Sequence, residues 1–390
     1  MDKKAPLAGK IEQKSPFFFP LVFMAIAFIS ALGLDYMSLK KGEKSYVFGA
    51  FPKKEKVITE EKTLDQIVRD NLSQHGIPED AINPYVDTKG ISHILIDLLL
   101  SQYKKVESSL EDDLRRTKVS VSKKEERKTD EKDFYLWEIK GKKKQKVILL
   151  FSCLKEKVAG KKPPIIEARG KVAIIIDDMG YSLNAIREII SLKRPLTVSV
   201  LPFSPYARET AQIARQNGLE IMLHLPLEAI HNQEGNNGTE GIIRSEMTES
   251  EVIQTLDRSL KQVPYIRGVN NHMGSKITTD VTFMRIILER LKERELFFID
   301  SRTTSDSVAY YVAQILGIPS ASRNIFLDTK MDEDSIRKKL IDLFRLAQKR
   351  GQATAIGHPT PQTLKVLKEN LHLLDKYNLE PVFASQIVHQ

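Results

Sequence analysis

The chain of 390 residues contains a single cysteine, Cys153. One thiol excludes an intrachain disulfide, and it also excludes a zinc site built from several thiolates. Cys153 lies within an apolar run, Val147–Leu154. We therefore expect it to be a small buried side chain without a chemical role.

Three motifs of nucleotide binding and covalent hydrolysis are absent as well. The sequence has neither Gly-x-Gly-x-x-Gly nor a phosphate-loop pattern, which argues against a nucleotide partner. It has no Gly-x-Ser-x-Gly turn, and the lone cysteine is not near a histidine motif. A covalent serine or cysteine nucleophile is therefore not expected.

The chain has fewer acidic than basic residues. Its 60 lysines and arginines outnumber 51 acidic residues and give a formal net charge of +9. A basic chain suits anionic partners such as lipid headgroups, acidic envelope polymers or nucleic acid. We favour the simpler interpretation that the lysines keep the chain soluble, and we predict no nucleic-acid partner. The length allows two or three domains.

One stretch lacks charge altogether. Residues 16–34 are apolar and about long enough to cross a bilayer. No clear cleavage site follows, which predicts an uncleaved signal anchor after a cytoplasmic tail of residues 1–15. Lysines in that tail favour an inside N-terminus, although others in residues 40–44 weaken this orientation. We expect a single-pass protein of the inner membrane, with its bulk on the periplasmic side.

Residues 35–62 have the composition of a polar tether, and residues 63–155 predict a small α+β domain. A helical pattern begins at Leu64, and Ile91–Tyr103 is a second helical run. Two strands, Phe134–Lys140 and Lys146–Leu154, form a predicted hairpin. No cluster in this domain suggests chemistry, so its role is left open.

Arg115–Lys132, in the middle of that domain, is rich in lysine and glutamate. It is most simply a solvated loop or a disordered insert, and a patch that binds an anionic surface is the alternative. Residues 156–170 contain Gly160 and two adjacent prolines and predict a linker.

From residue 171 to residue 390, apolar runs alternate with amphipathic helical patterns. Such βα repeats predict a parallel sheet with helices outside, and seven or eight units suggest a distorted (β/α) barrel. A doubly wound open sheet is the structural alternative. The predicted strands are Val172–Ile176, Leu196–Leu201, Leu219–Leu225, Ile266–Asn270, Leu296–Ile299, a weak one near Asn324–Leu327, Ala353–Ile356 and Pro381–Ala384.

The first of these strands ends in two adjacent carboxylates, Asp177 and Asp178. In α/β folds, sites are built at the carboxyl ends of the strands. Two adjacent aspartates repel each other, and they take separate roles when one binds a cation and the other accepts protons. The alternative is a pair that only caps the next helix.

Polar residues also follow later strands, and in a βα barrel all these strand ends share one face. The segments concerned are Asp177-Asp178, His224 to Glu228, Asn270 to Ser275, Asp300 to Arg302, and Gly357-His358-Pro359. Imidazole and carboxylate without thiolate suit Zn²⁺, Mn²⁺, Fe²⁺ or Co²⁺. With a carboxylate as base and a histidine as acid, such a set predicts metal-assisted hydrolysis of an amide or ester.

Together and in this order, five motifs resemble the divergent branch of the polysaccharide deacetylase family. They are Ile176-Asp-Asp-Met-Gly180, His224-Leu-Pro-Leu-Glu228, Asn271-His-Met-Gly-Ser275, Asp300-Ser-Arg-Thr303 and Ile356-Gly-His-Pro359. The resemblance covers a little over half of the chain. It implies a distorted (β/α) barrel and metal-dependent removal of N- or O-acetyl groups from a carbohydrate.

The resemblance also implies roles for individual residues. The first aspartate of the pair, Asp177, would be the base and the second, Asp178, a metal ligand. His224 matches the first of the family's two metal-binding histidines, which are spaced by three residues. His358, in Ile356-Gly-His358, matches the late Leu-x-His that supplies the acid.

The sequence departs from the family pattern at Glu228, where the second metal-binding histidine should stand. Either Glu228 binds the metal, or His272 from the next strand replaces the missing histidine. We favour His272, with Glu228 holding the tautomer of His224.

Four further residues are given supporting roles. Arg302 is predicted to pair with Asp177 or Asp300 and keep the base ionised, with a plain structural salt bridge as the alternative. Asp300 is predicted to support the site or to bind substrate. Asn271 and Ser275 either contact substrate or cap a helix or loop.

We therefore expect an envelope-facing deacetylase that binds a divalent metal, with Zn²⁺ favoured, and acts on a polysaccharide or a peptidoglycan-type glycan. The rival from another class is a barrel without catalysis that serves as an envelope carbohydrate-binding or scaffold module. A cytoplasmic hydrolase of small amides is a third hypothesis, which requires the opposite orientation of the anchor.

Overall fold

A computed structural model of the chain describes residues 62–87, 89–142, 145–156, 169–230 and 240–389. The predicted tail and anchor lie outside these residues, and so do residues 35–61 of the tether and residues 157–168 of the linker. No helix within the described ranges is long and apolar enough to span a membrane. Residues Lys62–Gln390 group as one compact unit.

The N-terminal part of this unit is a five-stranded sheet with two helices. Its strands run in the order β1-β2-β5-β4-β3, with β2 and β5 parallel and the other pairs antiparallel. The elements are α1 (Leu64–Gln74), β1 (Ile82–Val86), β2 (Ser92–Leu99), α2 (Leu100–Arg116), β3 (Ser120–Lys128), β4 (Lys132–Lys140) and β5 (Lys146–Leu154).

Two predictions for this region were wrong. The run Ile91–Tyr103 is not a helix, since it forms strand β2 in the interior of the sheet and only then enters α2, whose buried side chains begin at Tyr103. The charged segment Arg115–Lys132 contains β3, which pairs with β4 along its length. It carries charged side chains because it is an edge strand, where charge opposes pairing with another chain.

Both faces of this sheet are buried. One face packs against α1 and α2 around Trp137 and Phe151. The opposite face contributes five side chains to the core of the C-terminal part: Leu95, Phe134, Leu136, Ile148 and Leu150. This sheet is therefore the middle layer between its own helices and the larger fold.

The C-terminal part is built on a nine-stranded parallel sheet. The order is β11-β10-β9-β8-β7-β6-β13-β12, and β14 pairs with the first half of β6. The strands are β6 (Gly170–Met179), β7 (Thr197–Val200), β8 (Glu220–Leu227), β9 (Gly268–Met273), β10 (Phe297–Asp300), β11 (Ser320–Ser322), β12 (Ile325–Phe326), β13 (Gln352–Gly357) and β14 (Leu379–Val382).

Helices cover the outside of this sheet, and their apolar faces form the main core with it. They are α3 (Leu183–Ser191), α4 (Ala207–Gln216), α5 (Glu249–Gln262), α6 (Val281–Lys292), α7 (Ala309–Leu316), α8 (Glu333–Arg350), α9 (Pro361–Asn370) and α10 (Leu373–Lys376). The predicted alternation of strands and helices is thus confirmed.

The predicted barrel is not closed. β11 and β12 follow each other in the chain but lie at opposite edges of the sheet, so the sheet is a curled half-barrel. The two strands have three and two residues. Segments this short supply few backbone hydrogen bonds, which leaves the seam open.

Candidate active site

A polar layer lies directly above a small apolar plug inside the curled sheet. The plug includes Ile175, Met222, Ile299 and Ile356. Because strand side chains alternate with a period of two, the residue two positions later points to the same inner side. Those residues are Asp177, His224, Ser301 and His358. The strands therefore direct these four polar side chains to one place at their carboxyl ends.

A β-bulge brings the second carboxylate, Asp178, to the same place. The pairing of β6 with β7 shifts register between Ile176 and Met179. Asp178 itself has a φ of 54°, in the left-handed region that side chains other than glycine seldom adopt. A bulge of this kind re-aims a side chain that regular alternation would turn outward. Two neighbours in sequence thus face one site.

Asp178, His224 and His272 form a tight triangle of ligand atoms. Asp178 Oδ1 lies 3.2 Å from His224 Nε2 and 3.0 Å from His272 Nδ1. The two imidazole nitrogens are 3.2 Å apart. The buried Asp178 Oδ1 has no hydrogen-bond partner of good geometry. Three potential ligands therefore point at one another, and within the described ranges no other such group is found.

The side chain of Asn270 determines the tautomer of His224. In the register of β8 and β9, Asn270 lies directly opposite His224. Its Nδ2 donates to Asp177 Oδ1 at 2.8 Å, so its Oδ1 faces His224 Nδ1, 2.9 Å away. A carbonyl oxygen only accepts hydrogen bonds, and Nδ1 must therefore carry the proton. Nε2 is left with its lone pair directed into the triangle.

The two aspartates are pushed in opposite directions. Burial raises the pKa of Asp177, and the negative charge of Asp178 raises it further. Burial also acts on Asp178, but its close contacts with the imidazoles of His224 and His272 outweigh it and hold its pKa well below the ordinary value. One carboxylate is thus suited to take up a proton and the other to remain anionic.

His358 faces the same site from the strand on the other side of β6. Its Nε2 is 3.7 Å from Asp178 Oδ2, and its Nδ1 lies 3.0 Å from Asp328 Oδ1. The buried Asp328 also accepts from Thr363 Oγ1 and from the backbone N–H of His358. Burial lowers the pKa of His358, but the hydrogen bond and charge of Asp328 outweigh it and raise it to about 9.

Glu228 lies in a different environment from the one predicted. Its Oε1 pairs with Lys276 Nζ at 2.7 Å, and its Oε2 accepts from the backbone N–H of Ser245. The tautomer of His224 is set by Asn270 instead. Since Lys276 already neutralises Glu228, this carboxylate ties the loops after β8 and β9 together.

Arg302 does not form the predicted ion pair among the described residues. Its guanidinium donates to the backbone oxygen of Ser305, while its backbone N–H donates to Asp300. Asp300 is fully buried and also accepts from Ser307 Oγ at 2.8 Å. This carboxylate therefore shapes the loop after β10.

The cation behind the site is Arg323, at the end of β11. It donates to the backbone oxygens of Ser301 and Arg302 at 2.6 and 2.7 Å. Burial lowers its pKa, and the charges of Asp300 and Asp177 oppose that shift. It supplies positive charge close to Asp177, as Arg302 was predicted to do.

Asn271 and Ser275 both make loop contacts. Asn271 donates to the backbone oxygen of Met273 and accepts from the N–H of Ser301, which joins β9 to the segment after β10. Ser275 Oγ accepts from the N–H of Ile230. These contacts correspond to the capping alternative of the prediction.

Two histidines and an aspartate at the carboxyl ends of the strands form a ligand set that suits a divalent cation such as Zn²⁺. The model of the family "Divergent polysaccharide deacetylase" matches residues 174–388. The chain therefore belongs to this family, as its motifs predicted.

Two similar proteins have been curated without an assigned activity. The uncharacterized protein YibQ of Escherichia coli K12 is 36% identical over 225 residues, which are 57% of this chain and 68% of YibQ. An uncharacterized protein of Haemophilus influenzae Rd is 35% identical over 207 residues, 53% of this chain and 73% of that protein.

A solved structure shares the fold. An uncharacterized protein of Agrobacterium tumefaciens C58 superposes with a TM-score of 0.54 at 24% sequence identity. The match covers 58% of this chain and 92% of that one. At this identity the comparison supports the architecture of the half-barrel alone.

Proposed function

We propose that the chain is a metal-dependent deacetylase that hydrolyses an acetyl amide or ester on an envelope polysaccharide. The observation that carries this proposal is the triangle of Asp178, His224 and His272 beside a second, buried carboxylate, Asp177. Family membership supports the choice of an acetylated glycan as substrate.

The triangle fits a divalent cation. Bonds of about 2.0–2.2 Å place neighbouring ligands about 2.8–3.1 Å apart around an octahedral ion and about 3.3–3.6 Å apart around a tetrahedral one. The three observed distances are 3.0, 3.2 and 3.2 Å. Without a cation, Asp178 Oδ1 is a buried acceptor without a donor of good geometry. Nitrogen and carboxylate ligands suit Zn²⁺, and Mn²⁺, Co²⁺ or Fe²⁺ are alternatives.

Electrostatics support the same proposal. Burial lowers the pKa of His224, but the charges of Asp177 and Asp178 outweigh it and raise it. Buried carboxylates thus attract positive charge into the cluster, and a divalent cation would supply it without protonating His224.

The cation, Asp177 and His358 would have different roles in the reaction. A divalent cation, when bound, supplies Lewis acidity to a water molecule and to the substrate carbonyl. Asp177 accepts the proton of the attacking water, since its raised pKa makes it a stronger base than an ordinary aspartate. His358, held by Asp328, donates a proton from Nε2 to the leaving nitrogen or oxygen.

The setting in the cell belongs to this proposal. The uncharged residues 16–34 would anchor the chain in the inner membrane and leave the half-barrel on the periplasmic side, where envelope glycans lie.

The test uses the purified full-length chain. We expect bound metal by elemental analysis and release of acetate from chitin-type or peptidoglycan-type oligomers. Asp177→Asn and His358→Ala should each lower kcat by at least about 100-fold with metal retained. Asp375→Asn, at an exposed surface aspartate, is the matched control.

Two outcomes would contradict parts of the proposal. Metal and glycan binding without acetate release would favour the non-catalytic binding module. A folded chain that binds no metal and releases no acetate would refute the enzyme.

A further inference from the structure

A cleft of about 330 Å³ opens directly beside the candidate site. It lies between the segment after β6 and the loop after β13, and Asp178 and Pro359, the neighbour of His358, are among its lining residues. Its volume is at the lower end of the range for small-molecule pockets, about 300–1,000 Å³.

The walls of this cleft combine flat apolar surfaces with polar groups. Tyr181, Pro359, Pro361 and Leu364 supply the apolar part, while Asn184 and Glu188 of α3 contribute polar side chains. A pyranose ring has the matching character, because its C–H faces pack on aromatic rings and its hydroxyls need hydrogen-bond partners.

Tyr181 is 60% exposed, although it immediately follows the Asp178–Gly180 segment at the site. Exposed large apolar side chains also lie on the loops after β7, β8 and β12, namely Tyr206, Ile230 and Met331. All of these loops are on the carboxyl-end face of the sheet. Of these four side chains, Tyr181 lines the cleft.

The proposed chemistry gives the cleft an orientation. In deacetylation of an amino sugar the acyl group faces the ligand triangle, and the leaving nitrogen faces the acid. The sugar therefore lies on the side of His358, and the cleft extends from that side past Pro359. A polymer that places its acetylated unit at the triangle would pass its next unit into the cleft.

We propose that this cleft is a subsite for a pyranose unit adjacent to the acetylated one, with Tyr181 as the stacking platform. The inference rests on the proposed function. It assigns the enzyme to glycan chains rather than to acetylated monosaccharides, because only a chain can occupy the triangle and the cleft together.

The test compares Tyr181→Ala with Tyr265→Ala in the full-length chain. Tyr265 is similarly exposed, at 56%, but it precedes β9 and so lies at the opposite end of the sheet. The dissociation constants of tetra-N-acetylchitotetraose and of N-acetylglucosamine are measured by calorimetry. Tyr181→Phe, which retains the ring, is the conservative variant.

We expect the wild type to bind the tetramer more tightly than the monomer. Tyr181→Ala should weaken binding of the tetramer about tenfold and leave binding of the monomer unchanged. Tyr265→Ala and Tyr181→Phe should bind as the wild type does.

A tetramer that binds Tyr181→Ala as tightly as the wild type overturns the subsite, while acetate release by both proteins would leave the proposed function intact. A wild type that binds neither sugar and releases no acetate refutes both.

Discussion

At the scale of single residues, Asn270 connects the candidate site. Besides its contacts with Asp177 and His224, its carboxamide accepts from Ser199 Oγ and donates to Ser301 Oγ. The carboxamide is fully buried and uses all its hydrogen-bonding capacity on side chains carried by four other strands or their ends. The site thus depends on Asn270, although this residue contacts neither the proposed acid, His358, nor the open side of the ligand triangle.

Asn270→Asp is predicted to destabilise the fold without changing the shape of the site. A carboxylate cannot donate to Asp177, and it adds a buried negative charge, so we expect unfolding free energy to fall by about 2–4 kcal/mol. The new carboxylate would still accept from His224 Nδ1, so the tautomer of His224 is kept and metal affinity should not fall. Urea unfolding and metal titration measure the two effects.

Asn217→Asp, at the exposed end of α4, is the control and should cost under about 1 kcal/mol. A metal affinity that falls tenfold or more in Asn270→Asp would contradict this prediction, because it would show that an acceptor beside His224 Nδ1 is not sufficient to hold the metal-binding tautomer.

The strand-end reasoning brought together Asp178, His224 and His272, because each directly adjoins or lies within a recognisable apolar strand. It missed Asp328 and Arg323, because these residues flank β11 and β12, and strands this short show no periodic pattern of apolar residues. Asn270 was recognised as a strand end but was given no role. A buried amide has no sequence signature, and its partners come from strands far away in the chain.

At the scale of elements, the turn from β6 into α3 depends on Gly180. Its φ is +113°, and a Cβ there would lie 2.0 Å from Ser204 Oγ. Gly351, at the end of α8, also has a positive φ of +82°, but a Cβ there would meet no atom within 4 Å. Alanine variants of these two glycines therefore distinguish the cost of a steric clash from the cost of backbone strain alone.

Gly180→Ala is predicted to cost about 3 kcal/mol or more, whereas Gly351→Ala should cost about 1 kcal/mol. Thermal unfolding of the two variants measures the difference. Equal costs would mean that Ser204 moves aside freely and that the clash plays no part.

Asp87, in the loop between β1 and β2, and His93 of β2 form a buried hydrogen-bonded pair that should make stability depend on pH. Asp87 Oδ2 lies 2.8 Å from His93 Nε2, and Asp87 Oδ1 accepts two backbone N–H groups. Burial raises the pKa of Asp87, but these hydrogen bonds outweigh it and hold the pKa below its ordinary value.

A lowered folded pKa means that Asp87 stabilises the fold above its unfolded pKa of about 3.9, and that this contribution is lost as pH falls through the folded pKa. Asp87→Asn should therefore flatten the loss of stability below about pH 4. Urea unfolding between pH 3 and 7 tests this, with the surface variant Asp80→Asn as control. Parallel pH curves for Asp87→Asn and wild type would contradict the prediction.

Element types were predicted best where the periodicity was strong, as in the helical patterns after residue 171, although the structure divides the last of them into α9 and α10. The errors have physical causes. β2 is buried along most of its length, so its apolar run is indistinguishable from a buried helix segment. β3 has few apolar residues because it is an edge strand, paired with β4 on one side only, and edge strands carry charged side chains.

At the scale of the whole molecule, the two sheets share one core. Phe134 packs edge-on against Tyr310 and Tyr311 of α7, at ring-centroid distances of 6.0 and 6.3 Å. Arg285 of α6 donates twice to the carboxylate of Glu125, at 2.9 Å each. We infer that the two sheets unfold together.

The single tryptophan, Trp137, reports the smaller sheet alone, while far-UV circular dichroism is dominated by the larger part. Phe134→Ala should cost about 3–5 kcal/mol and lower both midpoints together. Phe151→Ala, on the opposite face of the smaller sheet, is the matched variant and should do the same. A shift in the tryptophan transition alone would show two independent units.

The bulge at Asp177 and Asp178 has a consequence for how the molecule fails on heating. The two aspartates are joined by one peptide bond, so motion of the sheet cannot separate their backbones. The imidazoles of His224, His272 and His358 come from three other strands or their ends, so motion between strands can change their distances from the aspartates. Damage to the site by heat should therefore begin at the histidines, with the aspartate pair as the last part of the site to come apart.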